Sequence, residues 1–380
     1  MTTDPVYNRK NPFPAKLLVH RMLTKEGSLK DTRHFEISLE GSGLEYEVGD
    51  ALAVCPTNCP ELVDEIITAL GASPDTMVPL PKEGEAPLKE ALTKNYVVTQ
   101  PNGKLIAAVA EKTGDAELTA LLEKENKPKL TEWLWGREVI DLLLGYPDAK
   151  FEPAEFALLL RKLQPRLYSI ASSIKAHPGE VHLTVAAVRY HSHGRDRKGV
   201  CSTYLCDRVD INSTDVPVFV QTSHGFRIPT NPDTPMIMVG PGTGIAPFRA
   251  FLEERKAIGA QGKNWLFFGE QRRDFDYLYQ EEFESYLEEG VLTRLDTAFS
   301  RDQEHKIYVQ DRMKENAAEI WKWLEQGAHF YVCGDAARMA KDVDAALHKL
   351  VETEGGRSEE EAVVFVKQLR KAKRYQRDVY

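Results

Sequence analysis

The fold of this chain is decided by the stretch MVGPGTGIAPFRAFL, residues 238–252. A strand-like apolar run leads into Gly240, Gly242 and Gly244, and a helical pattern follows them. Glycines at such a turn let the backbone approach a pyrophosphate, whose charge the helix N-terminus stabilises. The spacing G-P-G-T-G differs from the usual G-x-G-x-x-G, and a plain strand-to-helix turn is the alternative. The position between a strand and a helix favours a dinucleotide site.

The glycine stretch opens a series of strand–helix repeats. The strand-like runs PMIMVG, NWLFFG, VLTRLDTAF and HFYVCG each precede a helical run. This alternation predicts a doubly wound parallel sheet. A proline-rich joint at residues 229–235 marks its N-terminal boundary.

The chain before that joint has two further kinds of pattern. Short apolar runs separated by turn residues occupy residues 16–54 and again 156–227, which predicts antiparallel strands. Residues 60–150 have helical periodicity, as in ELVDEIITAL, and predict a helical insertion. The opening residues 1–15 are polar and contain three prolines, which predicts an extended arm.

Composition limits the function classes. The 380 residues suffice for two or three domains, and the net charge of -9 argues against a nucleic-acid binder. Five cysteines are too few and odd in number for a disulfide framework, which predicts a reducing compartment. No signal peptide and no apolar run of about 18 residues is present. We therefore expect a cytoplasmic protein without membrane contact, monomeric when isolated. Cys55 and Cys59 lack a completing ligand pair, so no metal is predicted.

The second and third strands of the repeat bear on the choice of nicotinamide cofactor. The run NWLFFG leads into Glu270-Gln271-Arg272, and we expect no acidic residue to close that strand in the NAD-type position. The third strand is followed by hydroxyl, amide and cationic side chains, which favour a 2′-phosphate. These side chains are Ser300, Arg301, Lys306, Tyr308 and Gln310. The pattern predicts NADPH rather than NADH, the alternative being a solvated charged loop.

Two segments could serve a flavin. RLYSIASS, residues 166–173, places a cation and an aromatic ring on one face of a short strand and a hydroxyl group on the other. An ordinary strand that happens to contain one tyrosine is the alternative. KGVCSTYL, residues 198–205, opens a helix with Ser202 and Thr203, where backbone N–H groups can bind phosphate. A plain helix cap is the alternative there.

Cys333 ends the strand-like run HFYVCG, at the carboxyl end of a predicted parallel strand. Open α/β sheets bind their ligands at this edge. A buried structural thiol is the alternative. His191 and His193 lie among charged residues and are interpreted as part of a solvated loop.

Taken in order, these segments resemble the diflavin reductases of the ferredoxin–NADP reductase-like family, and within it the flavoprotein (alpha) subunits of NADPH-dependent sulfite reductase. The resemblance covers nearly the whole chain. The segments that carry it are RLYSIASS (166–173), GVCSTYL (199–205), MVGPGTGIAPFRAFL (238–252), NWLFFGEQ (264–271), YVCGDAARMAKDV (331–343) and RYQRDVY (374–380).

The resemblance implies a three-part architecture after the N-terminal arm of residues 1–15. An antiparallel β-barrel that binds FAD would consist of residues 16–55 and 150–228. A helical connecting domain would occupy residues 56–149. An α/β parallel-sheet domain that binds NADP would occupy residues 232–380.

The resemblance also implies site residues. FAD would be held by Arg166, Tyr168, Ser169, Gly199, Val200, Ser202 and Thr203, with Tyr168 against the isoalloxazine and Tyr380 stacked on the face where nicotinamide must lie. NADPH would be held by Gly242 and Thr243 at its pyrophosphate and by Ser300, Arg301, Lys306, Tyr308 and Gln310 near its 2′-phosphate. The catalytic set would be Ser169, Cys333, Asp378 and Tyr380.

The implied function is hydride transfer from NADPH to FAD, followed by electron transfer to a partner hemoprotein, as the reductase component of assimilatory sulfite reduction. Relatives carry an N-terminal flavodoxin-like FMN domain that we do not expect here, so another carrier would be needed. No haem or iron–sulfur ligand set is seen, which argues against direct sulfite reduction. One alternative is a stand-alone NADPH–flavodoxin or ferredoxin reductase. Another is a catalytically silent FAD/NADP-binding assembly subunit.

Overall fold

The computed structural model describes residues 6–380, which form two compact units. The first unit contains the chain up to Ala53, Leu167–Ala186 and Asp210–Tyr380, and the second contains Val54–Arg166 and Ala187–Val209. Residues 187–209, which the sequence-based division gave to the barrel, thus lie in the second unit. Residues 1–5 of the predicted arm lie outside the described residues.

The described residues form fifteen strands and fifteen α-helices. The strands are β1 (Phe13–Met22), β2 (Thr32–Ser38), β3 (Ala51–Val54), β4 (Met77–Pro79), β5 (Glu85–Pro87), β6 (Arg166–Ser169), β7 (Glu180–Ala186), β8 (Arg189–Ser192), β9 (Arg195–Lys198), β10 (Asp215–Gln221), β11 (Met236–Val239), β12 (Asn264–Glu270), β13 (Arg294–Phe299), β14 (His329–Gly334) and β15 (Tyr375–Val379). The helices are α1 (Pro60–Leu70), α2 (Leu88–Lys94), α3 (Gly103–Thr113), α4 (Ala116–Leu121), α5 (Lys127–Leu134), α6 (Val139–Gly145), α7 (Pro153–Leu159), α8 (Val200–Asp207), α9 (Ala246–Ala257), α10 (Arg273–Asp276), α11 (Gln280–Glu288), α12 (Val309–Glu315), α13 (Ala317–Glu325), α14 (Met339–Thr353) and α15 (Glu359–Lys371).

The antiparallel sheet has the order β6-β3-β10-β1-β2-β7. Strand β2 pairs antiparallel with β1 on one side and β7 on the other. Its alternating residues Phe35 and Ile37 are fully buried, as expected for a strand with one face toward a core. A bridge between Ile170, just after β6, and Leu183 of β7 joins the two edges of the sheet. The sheet therefore closes into the predicted barrel.

The parallel sheet has the order β13-β12-β11-β14-β15, and its four pairings are all parallel. Both faces are covered. Ile237 and Val239 of β11 pack toward helices α12 to α15 on one side. Met236 and Met238 pack toward α9 and α11 on the other. This confirms the predicted doubly wound α/β architecture.

The second unit is mainly helical and has its own apolar core. Helical periodicity predicts Leu62, Ile66, Ile67 and Leu70 on one face of a helix. The first three are buried on α1, and Leu70 is half-buried. Gly71 follows α1 in the left-handed conformation, with φ of 64°, and ends the helix. Helices α2, α3, α4, α6 and α7 supply most of the remaining core, so the helical insertion is confirmed.

Over residues 6–380, no helix combines the length and the apolar character that crossing a membrane would require.

Candidate active site

The carboxyl ends of β14 and β15 bring three of the predicted site residues to one edge of the parallel sheet. The parallel register places Cys333 beside Asp378. The chain then ends at Tyr380, whose N–H donates to the Gly334 carbonyl at 3.1 Å and whose carbonyl accepts from the Ala336 N–H at 3.0 Å. These backbone bonds fix the terminal residue at the edge where open α/β sheets bind ligands.

Ser169, at the end of barrel strand β6, completes a polar cluster with this edge. Its Oγ donates to Asp378 Oδ2 at 2.6 Å. The Cys333 Sγ lies 3.9 Å from the same carboxylate oxygen. Residues that are far apart in the sequence are thereby gathered around one carboxylate.

Cys333 is fully buried, and its surroundings keep its thiol protonated. Burial raises the pKa of the Cys333 thiol well above its usual range, and the neighbouring Asp378 carboxylate adds to this effect, while the Ser169 hydroxyl acts in the opposite direction. A nucleophilic cysteine needs a lowered pKa and solvent access. The thiol is therefore a neutral, polarisable group in this cluster and not a nucleophile.

The glycine loop packs directly against the end of β14. A Cβ on Gly244 would lie 2.2 Å from the Cys333 carbonyl oxygen, so only glycine fits there. Gly242 has a φ of 58°, in the left-handed region. Thr243 Oγ1 is hydrogen-bonded to the Tyr380 hydroxyl at 2.8 Å. The loop predicted to hold the NADPH pyrophosphate thus contacts the residue predicted to cover the flavin.

The predicted 2′-phosphate residues follow β13. The N–H groups of Ser300 and Arg301 donate to the carbonyls of Glu270 and Gln271 at 2.9 and 2.8 Å, which ties this loop to the end of β12. Arg301 and Lys306 are exposed, as is Tyr308 at the start of α12. Gln310, on the first turn of α12, donates from Nε2 to Asp342 at 3.5 Å.

One prediction about this region is wrong, because β12 extends through Glu270 and an acidic residue does close that strand. The Glu270 side chain is 3% exposed, and its Oε1 accepts from Lys30 Nζ at 2.6 Å. Oε2 accepts from the Gln271 N–H at 2.8 Å. The apolar run ends at Gly269, so periodicity placed the strand end one residue early.

The segment after β6 is anchored inside the first unit. The Ile170 N–H donates to the Asp50 carbonyl at 3.1 Å, and the Ala171 N–H donates to the His182 carbonyl at 2.8 Å. The Asp50 carboxylate accepts from the Ser223 N–H at 2.8 Å and is ion-paired with Arg227. Sequence reasoning missed Asp50, which stands in a loop with no motif around it. Tyr168, the predicted flavin-stacking residue, lies on β6 immediately before Ser169.

The remaining predicted flavin residues lie in the second unit. Arg166 is exposed, at the start of β6. Helix α8 begins after Gly199, where a Cβ would lie 2.7 Å from both Ser202 Oγ and Val188 Cβ. Ser202 Oγ accepts from the Val188 N–H at 3.1 Å, and Thr203 Oγ1 donates to the Gly199 carbonyl at 2.8 Å.

These hydroxyl contacts shape the start of α8. The first turn of a helix presents N–H groups that have no partner within the helix and that suit a phosphate. Val200 begins the helix and is buried, and the glycine before it leaves no side chain over the turn. The role of this segment as one side of a pyrophosphate cradle stays a prediction.

A histidine cluster on β2 and β7 has the composition of a metal site. The pairs His34–Glu36 and His182–Glu180 are in contact at 3.1 and 3.3 Å. The second nitrogens contact the Tyr279 hydroxyl at 2.9 Å and the Arg249 guanidinium at 3.3 Å. Two groups bring their ligand atoms within 4.8 Å of one another: His34, Glu36, His182 and His177, Glu180, His182. Because these imidazoles have protein partners and adjoin an arginine cation, we assign the cluster no metal.

Comparison with known proteins identifies the family. The FAD binding domain model matches residues 5–204, and the oxidoreductase NAD-binding domain model matches residues 238–345. The chain is 48% identical over 380 residues to the sulfite reductase [NADPH] flavoprotein alpha-component of Bacillus subtilis (strain 168). It is 47% identical over 375 residues to that of Serratia proteamaculans (strain 568) and 46% identical over 379 residues to that of Yersinia pestis.

These alignments cover 98 to 100% of this chain and 62 to 63% of the three relatives, so the chain spans less than two thirds of their length. The family resemblance drawn from the motifs is confirmed. The ferredoxin–NADP reductase-like fold is confirmed by the two matched domains and by the barrel and parallel sheet. The chain belongs to the family of FAD-binding, NAD(P)-binding oxidoreductase flavoproteins that includes the sulfite reductase flavoprotein alpha-components.

Proposed function

We propose that this chain is an NADPH-dependent FAD flavoprotein reductase that takes hydride from NADPH and passes electrons to a partner protein. The observation that carries the proposal is the cluster at the carboxyl edge of β14 and β15. There the Ser169 hydroxyl donates to Asp378, and the buried Cys333 thiol adjoins the same carboxylate. A scaffold that only bound nucleotides would have no need for this arrangement.

The residues present suit FAD and NADPH. Gly199 before α8 and Gly244 before α9 both lie where a Cβ would clash with neighbouring atoms, and each precedes a helix start that suits a phosphate. FAD, when bound, can accept a hydride and release electrons one at a time. Tyr168 and Ser169 on β6 are proposed to contact its ring system, and Arg166, Gly199, Val200, Ser202 and Thr203 to hold its phosphates.

The protein's own groups would orient the reacting atoms. Asp378 accepts the Ser169 hydrogen bond at 2.6 Å and so fixes the direction of that hydroxyl. Cys333, as a neutral thiol, adds a polarisable contact without adding charge. Tyr380, 64% exposed and hydrogen-bonded to Thr243, is proposed to cover the flavin and to move aside for nicotinamide. The Ser300–Gln310 loop residues named above are proposed to bind the 2′-phosphate.

The names of the relatives support a proposal for the partner and the cellular setting. The curated relatives are named sulfite reductase [NADPH] flavoprotein alpha-components. We therefore propose a hemoprotein subunit as the final acceptor, reached directly or through a separate flavodoxin- or ferredoxin-like carrier. The predicted domain boundaries, the cytoplasmic location and the monomeric state of the isolated chain belong to the same proposal.

An electron-transfer assay tests this proposal. The FAD-loaded chain is mixed anaerobically with NADPH and then with purified sulfite reductase hemoprotein, with and without a flavodoxin. The proposal expects flavin bleaching by NADPH, followed by reoxidation on addition of the acceptor. Reoxidation by flavodoxin with no onward reduction of the hemoprotein would favour the stand-alone reductase. Absence of bleaching would favour a silent assembly subunit.

A further inference from the structure

The acidic residue at the end of β12 occupies a position with a known use in doubly wound folds. In NAD-binding proteins of this architecture, a carboxylate after the second strand binds the adenosine ribose hydroxyls. Glu270 closes β12, the strand that neighbours β11 and its glycine loop. A Cβ on Gly242 would lie 3.4 Å from Glu270 Oε1, so this carboxylate adjoins the dinucleotide loop.

A free carboxylate at this position would oppose the 2′-phosphate of NADPH. The N–H groups of Ser300 and Arg301 bond to the carbonyls of Glu270 and Gln271, so the predicted 2′-phosphate loop is attached to the same backbone. Two negative groups close together in a partly buried site repel each other strongly. An NADPH site built around Glu270 therefore requires its charge to be compensated.

Lys30, from the barrel, supplies that compensation. Its Nζ lies 2.6 Å from Glu270 Oε1, and the carboxylate is 3% exposed while the lysine side chain is 36% exposed. The two residues are 240 positions apart in the chain. The lysine therefore neutralises the acid and occupies an oxygen that would otherwise be open to a ribose hydroxyl.

The loop that carries Lys30 is fixed in place by other contacts with the same region. The Lys25 N–H donates to the Phe275 carbonyl at 2.8 Å, and Ser28 Oγ donates to the Asp276 carboxylate at 2.5 Å. A Cβ on Gly27 would lie 2.6 Å from the Phe275 ring, so the loop packs closely there. The Lys30–Glu270 pair thus belongs to a built contact between the barrel loop and the end of β12.

We propose that Lys30 is a specificity-determining residue of the dinucleotide site, which masks the NAD-type acid Glu270 and so allows the 2′-phosphate of NADPH to bind. This inference rests on the proposed use of NADPH. It assigns the choice between the two cofactors partly to a residue of the flavin barrel, outside the NAD-binding domain that supplies the other contacts.

Binding of 2′,5′-ADP and 5′-AMP, which differ only in the 2′-phosphate, tests the idea without turnover. Calorimetry on the FAD-loaded chain gives the affinity ratio of the two ligands. Lys30→Met should lower this ratio roughly tenfold or more, because Glu270 loses its counter-charge. Glu270→Gln should raise the ratio, since the lysine cation is then free. The double variant should return the ratio to within about threefold of the wild-type value.

Two controls keep the test decisive. Lys30→Arg preserves the charge and should keep the wild-type ratio, and Lys25→Met removes an exposed lysine of the same loop and should also leave it unchanged. Loss of one partner of a buried pair can destabilise a protein. If Lys30→Met fails to fold, Glu270→Gln serves instead, because it leaves only the part-exposed lysine unpaired and should still raise the ratio.

The possible results separate the two proposals. A wild-type chain that prefers 2′,5′-ADP, with the same ratio in all variants, would overturn the role of Lys30 and leave the use of NADPH intact. A wild-type chain that binds both ligands equally would overturn both.

Discussion

At the scale of single residues, the candidate site places the charged carboxylate of Asp378 beside the neutral thiol of Cys333. Asp378 contacts both the Ser169 hydroxyl and the Cys333 sulfur. Burial and this carboxylate raise the pKa of Cys333, which keeps the sulfur uncharged at neutral pH. A neutral sulfur can lie beside the nicotinamide without attracting or repelling the charge of the hydride that is transferred.

Replacing Cys333 by alanine should slow flavin reduction by NADPH by roughly tenfold or more while leaving FAD bound, because one preorganised contact with the reacting groups is lost. Stopped-flow absorbance of the flavin measures the rate. Cys206→Ala, which removes another buried cysteine, is the matched control and should reduce at the wild-type rate. Equal rates in Cys333→Ala and the wild type would reject the role of the thiol.

At the scale of elements, the glycine loop and the end of β14 act as one structure. Gly244 packs against the Cys333 carbonyl so closely that any side chain would displace one of the two segments. The same loop places Thr243 on the Tyr380 hydroxyl. The backbone that is proposed to hold the NADPH pyrophosphate and the strand that carries Cys333 therefore cannot shift independently.

Gly244→Ala should weaken binding of 2′,5′-ADP and lower the free energy of unfolding by about 1–3 kcal/mol, the usual cost of overpacking. Calorimetry and urea denaturation measure the two effects. Gly225→Ala is the control, since a Cβ at Gly225 would have nothing within 4 Å. Wild-type affinity and stability in Gly244→Ala would show that the loop can move away from β14 without cost.

Local pattern predicted the elements better than it predicted contacts between them. Alternation and helical periodicity gave the parallel sheet, the barrel strands and the helical insertion. The meeting of Ser169 with Asp378 joins residues 209 positions apart and came only from the family resemblance. The Lys30–Glu270 pair had no sequence signal, because long-range side-chain pairing follows from how the barrel loop packs. The sequence pattern predicted the end of β12 one residue too early, because an acidic residue seldom lies at the end of a buried strand unless another side chain pairs with it.

At the scale of the whole molecule, the barrel and the parallel sheet share one compact unit, and buried polar groups lie where they pack together. Burial, with the Arg249 guanidinium nearby, lowers the pKa values of His34 and His182 from 6.5 to about 2. Both histidines are therefore neutral in the folded protein. Arg249, on α9, also bonds the Ala171 carbonyl after β6 at 2.6 Å.

The two histidines predict acid sensitivity. A lowered folded-state pKa contributes stability that is present above the unfolded value of 6.5 and is lost as the pH falls toward 2. Each histidine should lower the free energy of unfolding by on the order of 1 kcal/mol per pH unit as the pH falls through this range. His177, whose pKa the Glu253 hydrogen bond raises, acts in the opposite direction and offsets part of the loss.

Urea denaturation at a series of pH values from neutral to mildly acidic measures this dependence. His182→Gln should flatten the decline of unfolding free energy, whereas exposed His305→Gln should leave it unchanged. An identical decline in His182→Gln and the wild type would show that this histidine is not the titrating group.

The central claim is that NADPH reduces FAD at the edge formed by Ser169, Cys333 and Asp378. The most direct measurement is anaerobic single-turnover reduction of the FAD-loaded chain by NADPH, compared between the wild type and Asp378→Asn. We expect the wild-type flavin to bleach, and the variant to bind the same amount of FAD but bleach at least roughly tenfold more slowly. A wild-type flavin that NADPH cannot bleach, or equal rates in the two proteins, would contradict the account.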